Sequence, residues 1–331
     1  MPLKSSLARS AKKLLGVFRR EDLDLRGQVD STRYVPPRNE YTLTPPGGNA
    51  VTYNARTTTF STMTAGEYTM TVQPYSLPFS APVVLIGGGG NGYNGEGGRG
   101  GGAGGRTNAT ATFKQGNTYK IIVGSSGSQP APTQFGGPGQ NQAPAGGFTG
   151  IFHSSVTFAN SALIAGGGGG SGRGPENPPG GGGGGGGGTS GGANGGSQGS
   201  AGSPSAGGGG QLQGAGGFGG AGGGGYYGGG RGSDNGPFAS NGGGGSGYVG
   251  GHPELPVSST SMTNGTNGAD NSGTIPAPSL LTTPTARSGA AGGHGPPSST
   301  GAYNQPGGGK SPNGYDGGIV IGQSPPGMEA A

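Results

Sequence analysis

The chain has 331 residues, of which 90 are Gly and 28 Pro, with no Cys, no Trp, 27% hydrophobic residues and a net charge of +5. Ordinary domains are about 45–50% apolar, so the composition excludes a conventional core of this length, and the missing Cys exclude disulfides and thiolate metal sites. Three scattered His and 9% charged residues leave little from which to build an enzyme, the strict G-X-Y period of collagen is absent, and no stretch approaches the roughly 18 apolar residues of a membrane-spanning helix.

Charge is concentrated at the start. Residues 1–45 hold nine Lys/Arg against five acids, which is +4 of the total, while the rest of the chain is nearly neutral. Within this arm, Leu3, Leu7, Ala11, Leu14, Leu15 and Phe18 recur on one helical face, with Lys4, Lys12, Arg19 and Arg20 largely elsewhere. The spacing predicts a basic amphipathic helix over 3–20. Residues 21–30 alternate Leu with charge as a short extended segment does, and Pro36-Pro37 and Pro45-Pro46 punctuate a linker over 36–50.

From Val51 the pattern changes to short strands. Residues 56–63 and 67–73 are rich in Thr, Tyr, Phe and Val, and read as a strand pair about an Ala65-Gly66 turn. Residues 83–86 form an apolar strand that runs into four glycines. Residues 107–113 and 118–123 flank Gly116-Asn117 and read as a hairpin. Residues 151–158 and 163–164 are two further candidates, the second running into glycines 166–170, and 318–321 is a last strand. Residues 256–312 are rich in Ser, Thr, Pro and Asn and read as loop.

The segment 165–250 contains 46 glycines, nine of them consecutive at 180–188. A Gly-rich tract can be a flexible coil, but here aliphatic and aromatic anchors adjoin the tracts at both ends, which a linker does not need. The favoured alternative is a bundle of extended polyproline-II-type helices, with three residues per turn and about 3.1 Å rise. These make no internal hydrogen bonds, so each backbone must find partners in its neighbours, and only Gly permits that approach. At this rise, residues 180–188 form a rod of roughly 28 Å. Gly168, Gly184 and Gly223 are the representative structural glycines.

The order of features is a Thr-rich strand pair, an apolar strand entering GGGG, a GNTYKIIVG strand end, LIAGGGGG, long Gly runs, GGGGSGY and GGIVI. Over residues 51–331 it resembles the polyglycine-II domains of phage tail-fibre adhesins, and the glycine-rich extracellular region of anaplastic-lymphoma-kinase-type receptors is similar. The receptor-kinase version carries Cys and sits beside membrane and kinase segments, which this sequence lacks. The N-terminal arm looks like the virion-docking peptide of a marine-phage structural protein. The resemblance implies a virion-surface protein, on tail or capsid, whose loops between glycine helices contact a host receptor, either a glycan or an outer-membrane protein.

Other motifs are weak. A G-x-G-x-x-G match carries no information at this Gly frequency. Gly309-Lys310-Ser311 ends like a phosphate-binding loop, but position 304 is Asn where that motif requires Gly. His153, His252 and His294 are far apart in sequence and lack the spaced partners of a zinc site. Only Arg99-Gly100-Gly101 fits the repeated Arg-Gly-Gly of RNA binders, so no nucleic-acid partner is expected. The basic helix has three open readings: an apolar face of Leu7, Leu14, Leu15 and Phe18 docked into other virion proteins, a membrane or targeting segment, or a solvated arm. Docking is favoured. Tyr226, Tyr227 and Phe238 stand among glycines; they either pack between helices or sit exposed at loop turns as receptor contacts.

The expected fold is therefore mostly irregular and β: a short β-framework carrying packed polyglycine-II helices, preceded by an N-terminal amphipathic α-helix. The expected organisation is an arm at 1–35, a linker at 36–50 and a glycine-rich domain at 51–331. The expected function is a non-enzymatic virion fibre, spike or adhesin that needs no cofactor or metal, with a homo-oligomer left open. The alternative is a secreted or cell-wall glycine-rich matrix protein with an N-terminal targeting peptide.

Overall fold

The structure, a computed structural model, describes residues 39–55, 58–91, 101–126, 145–171, 220–230, 232, 234–235, 238–239, 242–265 and 314–322. The chain divides between Arg38 and Asn39, and every described residue belongs to the second part. The predicted helix at 3–20, with Leu7, Leu14, Leu15 and Phe18, and the tract centred on Gly184 lie outside the described residues.

Thirteen strands are described. They are β1 (Glu40–Thr44), β2 (Val51–Asn54), β3 (Phe60–Thr62), β4 (Gly66–Val72), β5 (Phe79–Ile86), β6 (Arg106–Phe113) and β7 (Thr118–Val123). After them come β8 (Thr149–His153), β9 (Ser161–Ala165), β10 (Asp234–Asn235), β11 (Phe238–Ala239), β12 (Val257–Thr263) and β13 (Gly318–Ile321). One antiparallel sheet has the order β2-β1-β4-β7-β8-β9 and a second has β12-β6-β5-β13-β3, with β10 and β11 forming a separate ribbon.

Alternation explains the packing. In β4, Tyr68, Met70 and Val72 are buried while Glu67, Thr69 and Thr71 face outward; in β5, Phe79, Ala81, Val83 and Leu85 are the buried set. The period of two puts each set on one face, and the two faces close on a common core with Tyr41, Leu43, Phe113, Tyr119, Ile121, Ile319 and Ile321. Strand β7 breaks the alternation, because Ile121, Ile122 and Val123 are all fully buried. The outer face of the β7–β9 region is buried as well, in a second cluster of Ile122, Phe148, Phe152 and Ile164.

Several expectations from sequence are corrected. The segments on either side of Gly116-Asn117 do not form a hairpin: β6 pairs with β5 and β12, whereas β7 pairs with β4 and β8. Phe113 and Tyr119 decide this, because their rings meet edge-to-face at 5.3 Å, one from each sheet. The Thr-rich pair about Ala65-Gly66 splits in the same way, with Phe60 of β3 meeting Tyr68 of β4 at 6.0 Å. Strand β1 lies inside the predicted Pro-rich linker, and β12 lies inside the predicted 256–312 loop. Strand β5 begins four residues before the predicted 83–86, running through Pro82. That proline lies opposite Thr110 on one side, and on the other its carbonyl accepts the Gly322 N–H at 3.1 Å, just past the last β13 pair, so the missing N–H falls where the β13 ladder ends. Strand β8 ends at His153, and residues 158–160 form a single 3-10 turn.

Candidate functional site

Glycine segments continue six of these strands. Residues 87–91 follow β5, 101–105 precede β6, 124–126 follow β7, 145–148 precede β8, 166–171 follow β9 and 314–317 precede β13. Two further segments, 220–225 and 242–247, join them. Almost all of these residues are buried, although most have no side chain to bury.

The segment 166–171 lies at the centre of the bonding pattern. The N–H groups of Gly167 and Gly170 donate to the carbonyls of Gly224 and Ala221 at 2.7 and 2.8 Å. Those of Gly168 and Ser171 donate to Gly88 and Asn91 at 2.9 and 3.1 Å. Its carbonyls at Gly166 and Gly169 accept from Gly105 and Gly102 at 2.7 and 2.9 Å, and those at Gly167 and Gly170 accept from Gly245 and Gly242, both at 2.9 Å. The carbonyl of Gly168 accepts from Gly146 at 2.8 Å. One segment thus bonds to five others. Each repeated partnership returns after three residues, whereas residues on one face of a strand repeat every two. Other segments follow the same rule: Gly87 and Gly90 donate to Gly105 and Gly102, both at 2.9 Å.

At many glycines this spacing leaves no room for a methyl group. A Cβ on Gly168 would stand 2.0 Å from the Gly102 carbonyl oxygen, and one on Gly223 would stand 2.1 Å from that of Gly167. Comparable backbone encounters, at 2.0–2.1 Å, await a Cβ at Gly87, Gly90, Gly104, Gly146, Gly229 and Gly245. Two of the three glycines singled out from sequence, Gly168 and Gly223, therefore sit where backbone meets backbone. The array is closed at its ends by side chains: Asn91 Oδ1 accepts the Gly314 N–H, and Asp316 Oδ1 accepts the Ser126 N–H, both at 2.9 Å.

The aromatic residues lie where this array meets the outer face of the first sheet. Buried Ser246 fixes the turn at 225–227. Its carbonyl accepts the Tyr226 N–H, its hydroxyl accepts the Tyr227 N–H, and its own N–H donates to the Tyr227 carbonyl, each at 2.9 Å. Both tyrosines are half-buried. Tyr226 stacks on Tyr248 at 4.3 Å with planes 10° apart, and meets Phe158 and Tyr227 edge-on at 5.2 and 5.0 Å. Burial, then the neighbouring Tyr248 and Tyr227, push the Tyr226 hydroxyl above its ordinary pKa. Tyr226 thus packs onto the second cluster rather than projecting freely. Phe238 lies in the separate β10–β11 ribbon, paired with Asn235.

Sequence spacing missed one further meeting. His153 and His252, read as unrelated, stack with ring centres 4.8 Å apart and planes 17° apart. Nothing in the local sequence around either residue signals this, because tertiary topology alone brings them together. Among the described residues, no group of three or more His, Cys, Asp or Glu is placed to hold a metal ion. No protein-family model matches this chain, and no curated protein sequence matches it.

Proposed function

We propose that this chain is a virion structural protein, a tail fibre, spike or capsid fibre, in which a β-sandwich carries a lattice of polyglycine-II helices and displays loops that attach to a host receptor. The observation that carries this reading is the three-residue recurrence of backbone bonds around 166–171. A polyglycine-II helix, with three residues per turn, would repeat in this way, and each buried N–H and C=O must find its partner on a neighbouring segment. Such a lattice spends its sequence on backbone contact and supplies rigidity without side-chain chemistry. The connections between segments are then free to vary, as the loops of a binding scaffold are. The basic arm at 1–35, with Leu7, Leu14, Leu15 and Phe18, serves to join other virion proteins.

Two measurements test this. Purified virus particles should contain the chain with its N-terminal arm intact from Pro2 onward. Deletion of 1–35 should leave a soluble protein that no longer enters particles. A chain absent from particles and recovered from the cell wall or medium with its arm removed refutes the proposal, and favours the matrix-protein alternative.

A further inference from the structure

One corner of the sandwich brings His153 and His252 together with Lys114 and Glu254. His153 ends β8, and His252 opens a tight turn in which its N–H donates to the Leu255 carbonyl and the Leu255 N–H donates back, at 3.1 and 2.8 Å. Leu255 is fully buried in the main core, so this turn fastens the start of β12 to the body of the protein. The preceding residue adds a tie, because the Gly251 N–H donates to the Ala162 carbonyl of β9 at 3.1 Å.

The His252 ring is engaged twice. It stacks on His153, which in turn meets the Tyr119 ring edge-on at 6.1 Å. Its Nδ1 accepts the N–H of Glu254 at 3.0 Å, so that nitrogen carries a lone pair and the imidazole is neutral in this geometry. The other groups facing the pair are Lys114 and Asn117 from the β6–β7 connection, Tyr119 from β7, and Glu254. The Glu254 carboxylate accepts from Asn117 Nδ2 at 3.0 Å and pairs with Lys114 Nζ at 3.3 Å, while its carbonyl accepts the Tyr119 hydroxyl at 2.9 Å.

We propose that the His153–His252 stack is an acid-released latch, and that protonating His252 frees the 252–255 turn, and with it the start of β12, from the sandwich. A proton on His252 Nδ1 sets donor against donor at the Glu254 N–H. The charged His252 ring then lies near Lys114, with the Glu254 carboxylate as the one anion among these groups. Burial, followed by His153, holds the His252 pKa below its ordinary value, Lys114 adds a smaller push the same way, and Glu254 pulls against them. The open turn therefore binds protons more readily than the closed one. The closed form is fully favoured above the ordinary His pKa of about 6.5 and loses stability as pH falls below it. Glu254 does not account for a change in this window, since its hydrogen bonds to Asn117 and Lys114 hold its carboxyl below the usual range and keep it ionised.

Hydrogen exchange on the full chain at pH 7.5 and pH 5.0, corrected for intrinsic exchange, tests the latch. Protection of the Gly251, His252 and Leu255 amides should fall about fivefold relative to the β4 amides, the change that losing one hydrogen bond supplies. The double variant His153→Phe, His252→Asn keeps a ring stack partner at 153 and an acceptor for the Glu254 N–H at 252, and neither replacement titrates. It should show no such fall. Equal protection of the parent at both pH values overturns the proposal, as does an equal fall in the double variant. Should that variant not fold, an NMR titration of the parent decides: a His252 pKa below 6.5 supports the latch, and one at or above 6.5 refutes it.

Discussion

Replacing Gly168 by Ala tests the glycine array most directly. The new Cβ would sit 2.0 Å from the Gly102 carbonyl oxygen, about 1.4 Å short of ordinary contact at 3.4 Å, with Gly102 C at 2.5 Å and Ala103 C at 2.9 Å. The obstacle is backbone, so no side chain can swing aside, and segment 101–105 must move by more than 1 Å. Four hydrogen bonds anchor that segment: Gly102 N–H to Gly169, Gly105 N–H to Gly166, Gly90 N–H to Gly102 and Gly87 N–H to Gly105, at 2.9, 2.7, 2.9 and 2.9 Å. Weakening each costs on the order of 1 kcal/mol, or about 4 kcal/mol together. The Ala side chain returns about 0.4–1 kcal/mol by restricting the unfolded chain. The net loss is about 3 kcal/mol, which for a domain of this size lowers the melting temperature by roughly 6–12 °C. Calorimetry or thermal circular dichroism on the full chain reads it, with Gly223→Ala beside it because its Cβ meets Gly167 O at 2.1 Å. In a flexible tract both substitutions are neutral or stabilising, so two variants that melt at or above the parent temperature refute the packed array.

Gly116→Ala is the comparator: its site has φ +74° and nothing within 4 Å, so the cost should be backbone strain alone, about 1 kcal/mol, read as a lower denaturant midpoint. Tyr41→Phe should stabilise the fold by about 1 kcal/mol and so raise that midpoint, because the Tyr41 hydroxyl is buried with no hydrogen-bond partner and deleting it removes a desolvation cost; a lower midpoint contradicts this. Tyr226→Ala should cost about 2 kcal/mol, since it removes a half-buried ring with three aromatic neighbours and aromatic pairs add to area burial. An unchanged midpoint would mean that the ring contributes nothing to packing.

The sequence shows some of these elements clearly because a period of two is visible without its context. Strands β4, β6, β7 and β13 alternate or end in short apolar runs, and their observed limits fall within a residue of those expected. Strand β12 gives no such signal. It lies at a sheet edge with most of its Ser and Thr residues exposed, and β-propensity without an apolar face reads as loop. Strand β1 offers only Tyr41 and Leu43 before two prolines, and Pro82 hides the first half of β5. Pairing is a separate matter. Alternation reports which face is buried but not which strand lies alongside, so Phe113 and Tyr119 read as neighbours across a hairpin when they face each other across the core. The glycine junctions at Ile86 and Ala165 were legible because an apolar strand stops there. The partners of 166–171 were not, since one Gly backbone offers the same donor and acceptor as any other.

The place of β13 in its sheet has a consequence for how the protein is made. This strand, Gly318–Ile321, is inserted between β5 and β3, which are encoded more than two hundred residues earlier and share no other strand partner among the described residues. A ribosome adding about 5–20 residues each second exposes β3 and β5 long before the strand that joins them exists. Until Ile321 emerges, the second sheet has a gap in its middle, and the segment 314–317 that leads into β13 is missing from the array. Pairings this distant in sequence close slowly. A chain broken off anywhere before β13 keeps an open, apolar seam that binding and quality-control factors can recognise, so a complete sandwich certifies that translation has passed residue 321.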